Sequence, residues 1–344
     1  MQDDFAVIVG ISDYPGPSPQ PLEGPVNDAM AFRDWAVRAT GGAVPDDPDH
    51  LKLITSADFP AAGGAPQGHP SRDDVLRRFD EIMDHLDNQD MCGRRLYIFF
   101  AGHGCSPTDA KSLRNAALLM ANARLPNRPY NIAGNLVADY FRTAAYFEEV
   151  VLFMDCCRDE MSNAVLDPLW SPVAEPGESK LVTGYAADWG RKSREHDFDG
   201  TKRGIFSYSL VEVLKQGRIG GSLLKASLPA HIDFINDKPV RQQAQIEGDL
   251  DEMVFSEGAA PARSDVTINI LGNGEAAEIL AEDPNSDNLV PVEQFSLGNQ
   301  PWQGQLEPRN YFLFSQEKHL RKRFNVLAGV PKVLNGVQNG DGSG

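Results

Sequence analysis

Apolar runs bounded by polar punctuation recur through the first two thirds of the chain. Phe5–Ile11 is a continuous apolar run rich in β-branched residues, the pattern of a strand buried on both faces of a parallel sheet. Arg95–Ala101, Val150–Asp155 and Lys180–Tyr185 read in the same way, with shorter strands at Leu51–Thr55 and Ala116–Ala121. Helical spacing appears between them. Asn27–Arg38 places Met30, Trp35 and Val37 near one stripe. Ser71–Asp87 opens on a capping box, Ser71 with Asp74, and carries an apolar face of Val75, Leu76, Phe79, Ile82, Met83 and Leu86. Ile132–Phe147, Ser207–Lys215 and Leu223–Asn236 are further helices. Strands alternating with helices predict an α/β fold, a mostly parallel sheet with helices on both faces. Pro15–Pro21 and Pro60–Pro70 read as surface loops, and no internal repeat is evident.

The pattern changes near Ser256–Ser264, which reads as a linker. Beyond it, Val266–Leu271, Ala277–Ala281, Val292–Leu297, Tyr311–Ser315 and Arg323–Ala328 are short strands separated by Gly, Pro and Asn. They predict a small β-sandwich whose core takes most of Phe295, Trp302, Tyr311, Phe312 and Phe314. The expected organisation is a first domain over 1–256, the sandwich over 265–334 and a disordered tail over 335–344. Lys318–Arg323 is basic and reads as a hairpin tip, with docking to an acidic surface as the weaker alternative.

Charge narrows the field. Lys plus Arg is 32 and Asp plus Glu is 49, so the formal net charge is 32 − 49 = −17 over 344 residues. Such a chain is not expected to bind nucleic acid, which needs clustered cations. The acidic start Met1-Gln2-Asp3-Asp4 lacks the basic region of a signal peptide, and no apolar run is long enough to span a membrane. Four cysteines, Cys92, Cys105, Cys156 and Cys157, make neither a disulfide framework nor a zinc-binding spacing. We therefore expect free thiols, a cytoplasmic setting, and no metal or other cofactor.

Two strands run directly into reactive residues. Arg95–Ala101 ends in Gly102-His103-Gly104, and Val150–Asp155 ends in Cys156-Cys157. In open α/β sheets ligands bind beyond the carboxyl ends of the strands. A cysteine hydrolase needs a thiolate, an imidazole that shuttles a proton, and N–H donors for the oxyanion. If the two strands are neighbours, Cys157 and His103 emerge on one edge. The peptide N–H groups of Gly104 and Cys157 would then form the oxyanion hole. Taken singly, a strand-end cysteine is usually a packing residue and a Gly-His-Gly turn is weak; together, with the histidine first and 54 positions between them, they point to catalysis.

This order resembles the clan of caspases and metacaspases, the metacaspase branch more closely. FAVIVGISDY resembles the family's first strand. Leu22-Glu23-Gly24-Pro25-Val26-Asn27-Asp28-Ala29 resembles its Leu-x-Gly-x-x-Asn-Asp-Ala motif, and Gly204-Ile205-Phe206-Ser207-Tyr208-Ser209-Leu210 its late Gly-x-Phe-Thr/Ser segment. The resemblance covers residues 4 to 255 and is specific in order and spacing. It implies a caspase-like sheet and a cysteine endopeptidase of the bacterial type. His103 would be general base and acid, Cys157 the nucleophile and Cys156 a packing residue. It also implies that Asp28 and Asp155 line the P1 pocket and select a basic side chain, Arg before Lys. The expected partner is a protein substrate with exposed Arg or Lys sites, together with an activating protease or regulatory protein. A role in stress, cell death or antiviral defence is implied by analogy alone.

The chain departs from the family at two points. Arg158-Asp159-Glu160 stands where His-Ser-Gly is common, which puts that loop in question. The stretch Cys105 to Ala123 holds one acidic residue, Asp109, where calcium-activated members have many, so no such calcium requirement is expected. The charged segment Ala187–Arg203 reads as an exposed loop, with Arg191, Lys192, Arg194, Lys202 and Arg203 as processing points for a protease that cuts after basic residues. Two alternatives stand beside the peptidase: an inactive scaffold on the same fold, and a cysteine hydrolase acting on a non-peptide amide.

Overall fold

The computed structural model describes residues 3–107, 115–127, 129–158, 160–161, 169–171, 173, 176–188, 190–235, 242–283 and 288–335. The first domain is built on one six-stranded sheet. In chain order its elements are β1 (Asp4–Gly10), α1 (Pro25–Ala36), β2 (Leu51–Thr55), α2 (Arg72–Gln89), β3 (Gly93–Ala101), α3 (Gly134–Ala144), β4 (Phe147–Asp155), β5 (Lys180–Tyr185), α4 (Ile205–Leu214), α5 (Gly221–Ile235) and β6 (Gln245–Gly248). The strand order is β6-β5-β4-β3-β1-β2. All neighbours run parallel except β6, which pairs antiparallel with β5.

Alternate residues of each central strand feed two cores. Phe5, Val7, Val9, Leu96, Ile98, Phe100, Val150, Leu152 and Met154 pack under α2 and α3. Ala6, Ile8, Tyr97, Phe99, Val151 and Phe153 pack under α1, α4 and α5. That double burial is why these strands read as unbroken apolar runs. Helix α2 starts on the predicted capping box: Asp74 Oδ2 accepts from the Ser71 N–H at 2.8 Å. In α1 the buried stripe is Ala29, Phe32, Trp35 and Ala36, while Met30 is exposed.

The helix expected over Ile132–Phe147 is shorter at both ends. Asn131–Ala133 is a strand that pairs with Ala117–Leu119, and Phe147 already belongs to β4. Ile132 and Phe147 are buried apolar residues on either side of the helix, so periodicity alone runs the three elements together. Ala117–Leu119 and Asn131–Ala133 join Gly104–Pro107 and Glu160–Met161 in a small sheet directly after His103.

The C-terminal part is two antiparallel-rich sheets on one core. Trp302–Leu306, Ser264–Asn269 and Lys332–Asn335 form the first; Leu289–Ser296, Ala276–Glu282, Arg309–Ser315 and Leu320–Val326 form the second. Val266, Ile268, Ile279, Leu313, Phe324 and Leu334 fill the space between. Of the five aromatics, most of them expected in the core, Tyr311 is buried and Phe295 and Trp302 pack half-buried against that core, while Phe312 is half-buried outside it and Phe314 is 38% exposed. The alternation of the Arg309–Ser315 strand sends Tyr311 and Leu313 inward and Phe314 out.

The linker is not loose at its start. Trp35 Nε1 donates to Ser256 Oγ at 3.1 Å, and Arg218 N–H to Ala259 O at 2.8 Å. Helix α5 also carries the sandwich: Ser227 Oγ donates to Pro308 O at 2.8 Å, and Arg323 pairs with Asp233 at 3.1 Å. The basic run Lys318–Arg323 is therefore part turn and part strand, and one of its cations is docked on the first domain. All but one residue of the tail expected to be disordered, and Asp109 and Asp159, lie outside the described residues.

Candidate active site

Strands β3 and β4 are the two central strands, paired so that Ala101 stands opposite Asp155. His103 and Cys157 each follow two residues later. Equal offsets from a paired position bring both to the same edge, and both line one cavity of about 790 Å³.

His103 is held from three sides. Its N–H donates to Tyr14 Oη at 2.9 Å, and that hydroxyl donates to Leu119 O at 3.2 Å. The two rings meet edge to face at 4.9 Å. His103 Nε2 lies 2.7 Å from Gln20 O; a carbonyl only accepts, so in this contact that nitrogen carries the hydrogen. Gly104 has no room for a side chain. A Cβ there would stand 2.5 Å from Cys157 O and 2.6 Å from Cys156 Sγ, so the turn after the histidine lies directly against the Cys156-Cys157 turn.

The three cysteines near this edge differ in burial. Cys105 is buried and its thiol is pushed up to about 12 by desolvation. Cys156 is buried, and desolvation, then Cys157 and Asp155, raise its thiol well above the ordinary value. Neither is placed to form a thiolate. Cys157 is half-buried, lines the cavity and contacts Ser193 O at 3.7 Å. Cys92 sits away from the edge, against Tyr146 O at 3.2 Å.

Two carboxylates lie in the cavity beside this pair. Asp28, 2% exposed, comes from the first turn of α1. Its Oδ1 accepts from Arg203 Nε and its Oδ2 from the Gly204 N–H, both at 2.8 Å. Asp155 ends β4; its Oδ1 accepts from Ser193 Oγ at 2.5 Å, and its Oδ2 from Ser207 Oγ at 2.6 Å and Ser207 N–H at 3.0 Å. Both Oδ2 atoms converge on Gly204, where a Cβ would stand 2.0 Å from that of Asp155 and 3.1 Å from that of Asp28. Burial, reinforced by Asp155, pushes the Asp28 acid up to about 8 against the pull of Arg203 and Gly204. Burial likewise raises Asp155, against Ser193 and Ser207.

The segment Ala187–Arg203 is more ordered than an exposed loop. Glu195–Phe198 and Thr201–Gly204 form a hairpin. Glu195 Oε1 accepts from Gly24 N–H at 2.7 Å. Arg191 and Lys192 are exposed and Arg194 and Lys202 half-buried, but Arg203 is buried on Asp28 and does not belong with the accessible basic residues. The ion pair, invisible in the sequence, takes it inside.

Arg158 accounts for the departure after Cys157. It is buried, lies over the Tyr185 ring at 4.6 Å and donates to Gln245 Oε1 at 2.9 Å. Its backbone exchanges hydrogen bonds with Gly190 N–H and Arg191 O, both at 3.0 Å. The residue ties the loop to the Cys156-Cys157 turn. Tyr14, Ser193, Ser207 and Arg203 are the site groups that sequence reasoning did not assign. Tyr14 and Ser207 stand inside quoted motifs, but nothing in one sequence says what their hydroxyls touch.

Among the described residues, no group of three or more His, Cys, Asp or Glu is arranged to hold a metal ion, and no helix is long and apolar enough to cross a membrane. No family model matches the chain. A probable protease of a Desulfuromonadales bacterium is 26% identical over 221 residues, 62% of this chain. The chain spans about a quarter of that relative's length, 26%. Among solved structures the chain is similar to pro-sf-caspase-1 at 13% identity and a TM-score of 0.45, covering 74% of this chain and 94% of that one. It is similar to caspase-1 from Spodoptera frugiperda at 11% identity and a TM-score of 0.45, covering 74% and 93%.

Proposed function

We propose that the chain is a cysteine endopeptidase that cleaves after basic residues, Arg before Lys. The observation that carries this reading is the shared edge: an accessible thiol and an imidazole at equal offsets beyond in-register strands, opening on a cavity with two buried carboxylates. The probable-protease relative supports peptide hydrolysis.

In this reading the Cys157 sulfur attacks the scissile carbonyl, and the N–H groups of Cys157 and Gly104 receive the oxyanion. His103 takes the thiol proton and returns it to the leaving amine; water then cleaves the acyl-enzyme. Asp28 and Asp155 take the P1 guanidinium, whose planar fork suits two converging carboxylate oxygens better than an ammonium does. The regulatory role in stress, cell death or defence belongs to the same proposal, as does an activating protease or regulatory protein.

The contacts of Cys157 Sγ with Ser193 O and of His103 Nε2 with Gln20 O favour a resting state that must open before a substrate enters. Arg191, Lys192 and Arg194, in the loop that supplies Ser193, are the processing points that would release it. Fluorogenic peptides with P1 Arg, Lys and Asp, given to wild type and Cys157→Ala, test the reading. Turnover of the Arg and Lys peptides by wild type alone is expected. No turnover of any, before or after nicking at 191–194, would favour the inactive scaffold. Intact mass measurement of both proteins tests self-processing; an uncut loop in wild type would refute it.

A further inference from the structure

We propose that Arg203 is a positioning residue for specificity: it is the cation that lets Asp28 ionise beside Asp155, and so decides when the P1 pocket holds two ionised carboxylates. The identity of the substrate cation rests on the peptidase reading; the charge relation between Arg203 and Asp28 does not.

The two carboxylates are held differently. Two consecutive residues clamp Asp28, Arg203 Nε on one oxygen and Gly204 N–H on the other. Among the described residues, the hydrogen bonds to Asp155 come from neutral donors, on Ser193 and Ser207. With both acids ionised, Asp28, Asp155 and Arg203 sum to one negative charge, a match for one guanidinium. Without Arg203, two buried carboxylates would converge on one glycine with no cation in contact. Like charges so placed do not both ionise; one keeps its proton.

The remaining charges do not replace Arg203. Glu23 and Glu195 stand in the cavity wall with Lys192, Arg194 and Lys202, and His103 and Cys157 complete its titratable groups. Tyr208, on α4, lies 5.5 Å from the Arg203 guanidinium. Within the pocket floor, the ion pair to Asp28 comes from Arg203. Arg203 also carries a penalty, because its Nη2 is buried with no hydrogen-bond partner among the described residues. An apolar side chain of equal length would leave no orphan donor. What it could not provide is the positive charge.

The test uses agmatine, a small guanidinium, and calorimetry from pH 6 to 9 on full-length Cys157→Ala carrying Arg203→Met or Arg203→Lys. The parent's affinity should rise with pH. Raising the pH from 6 to 9 should raise the ratio of parent to Arg203→Met affinity about tenfold or more, since one unit of displaced ionisation is tenfold. Arg203→Lys should follow the parent. A ratio constant with pH would make the role merely structural and overturn the proposal, and so would tighter binding by Arg203→Met at pH 9, which would mean that Arg203 competes for the pocket. Should the parent bind no agmatine and wild type cleave no P1 Arg or Lys peptide, the peptidase specificity fails instead. Thermal unfolding then decides the charge relation. Folded Arg203→Met keeps Asp28 protonated to higher pH, so its stability should keep falling between pH 8 and 10 while the parent's levels off. The double variant with Asp28→Asn should lose that slope. Parallel curves for all three would overturn the proposal.

Discussion

Placing one methyl group on Gly204 is the sharpest perturbation that the site allows. In Gly204→Ala the new Cβ would stand 2.0 Å from Asp155 Oδ2 and 3.1 Å from Asp28 Oδ2. The first distance is far inside contact, so Asp155 must turn. It would then leave the Ser207 N–H and Oγ–H, which donate to it at 3.0 and 2.6 Å. Overpacking a tight site costs about 1–3 kcal/mol, and each buried donor left without an acceptor about 1–3 kcal/mol more. We expect a net loss of about 3–9 kcal/mol, comparable with the whole stability of a domain of this size. A second effect is on recognition. Displacing Asp155 and blocking the gap between the carboxylates removes two charge-assisted hydrogen bonds to a P1 guanidinium, about 1.5–3 kcal/mol each. At 1.36 kcal/mol per factor of ten, kcat/KM for a P1 Arg peptide should fall by about 10² to 10⁴. Alkylation of Cys157 by iodoacetamide serves as the control and should change by less than about threefold, roughly 0.65 kcal/mol on the same scale. A folded Gly204→Ala protein that keeps its P1 Arg activity within about tenfold of wild type, or 1.36 kcal/mol, would refute the pocket assignment.

Other outcomes follow from the same geometry. Cleavage of a P1 Arg peptide should rise with pH until Asp28, whose acid is pushed up to about 8, is ionised, while an isosteric P1 citrulline peptide should lack that limb; identical pH profiles would count against Asp28. The same shift has a stability sign. A folded-state value above the ordinary 3.8 favours the protonated fold, so the stability that Asp28 contributes below about 4 is lost as pH rises towards 8. Asp28→Asn should therefore gain on wild type across that window in thermal unfolding, and a constant offset would contradict this. Tyr14→Phe leaves the half-buried His103 N–H without its acceptor and should cost about 1 kcal/mol of stability, with a drop in kcat larger than any change in KM. Arg158→Ala should free the 187–191 loop, seen as faster tryptic cutting at Arg191 and Arg194; an unchanged cutting rate would mean that the backbone bonds alone hold it.

The sheet was legible because its central strands are buried on both faces, which leaves an unbroken apolar run for each. The two reactive strand ends were legible for the same reason, since the runs stop where His103 and Cys157 begin. Local pattern failed where tertiary pairing takes over. Ile132 belongs to a strand because Leu118 is its partner. Arg203 is buried because Asp28, 175 positions away, accepts from it. Met30 lies on the expected apolar stripe yet faces out, while Ala29 takes the core position. In the sandwich, aromatic content suggested a core that alternation then divided between inside and outside.

In the proposed reading the reacting groups and one wall of the P1 pocket come from different parts of the fold, although Asp155 ends β4, the strand that leads to Cys157. The thiol and imidazole extend from β3 and β4, each flanked on both sides by further strands, so releasing them requires breaking the most protected ladders of the domain. Ser193, Arg203 and Gly204 arrive instead on a surface hairpin and its approach. Amide exchange should accordingly be slow beneath the chemistry and fast around the rim. Replacing that ribbon would then retune one wall of the pocket, while Asp28, Asp155 and the foundation beneath the reaction stay as they are.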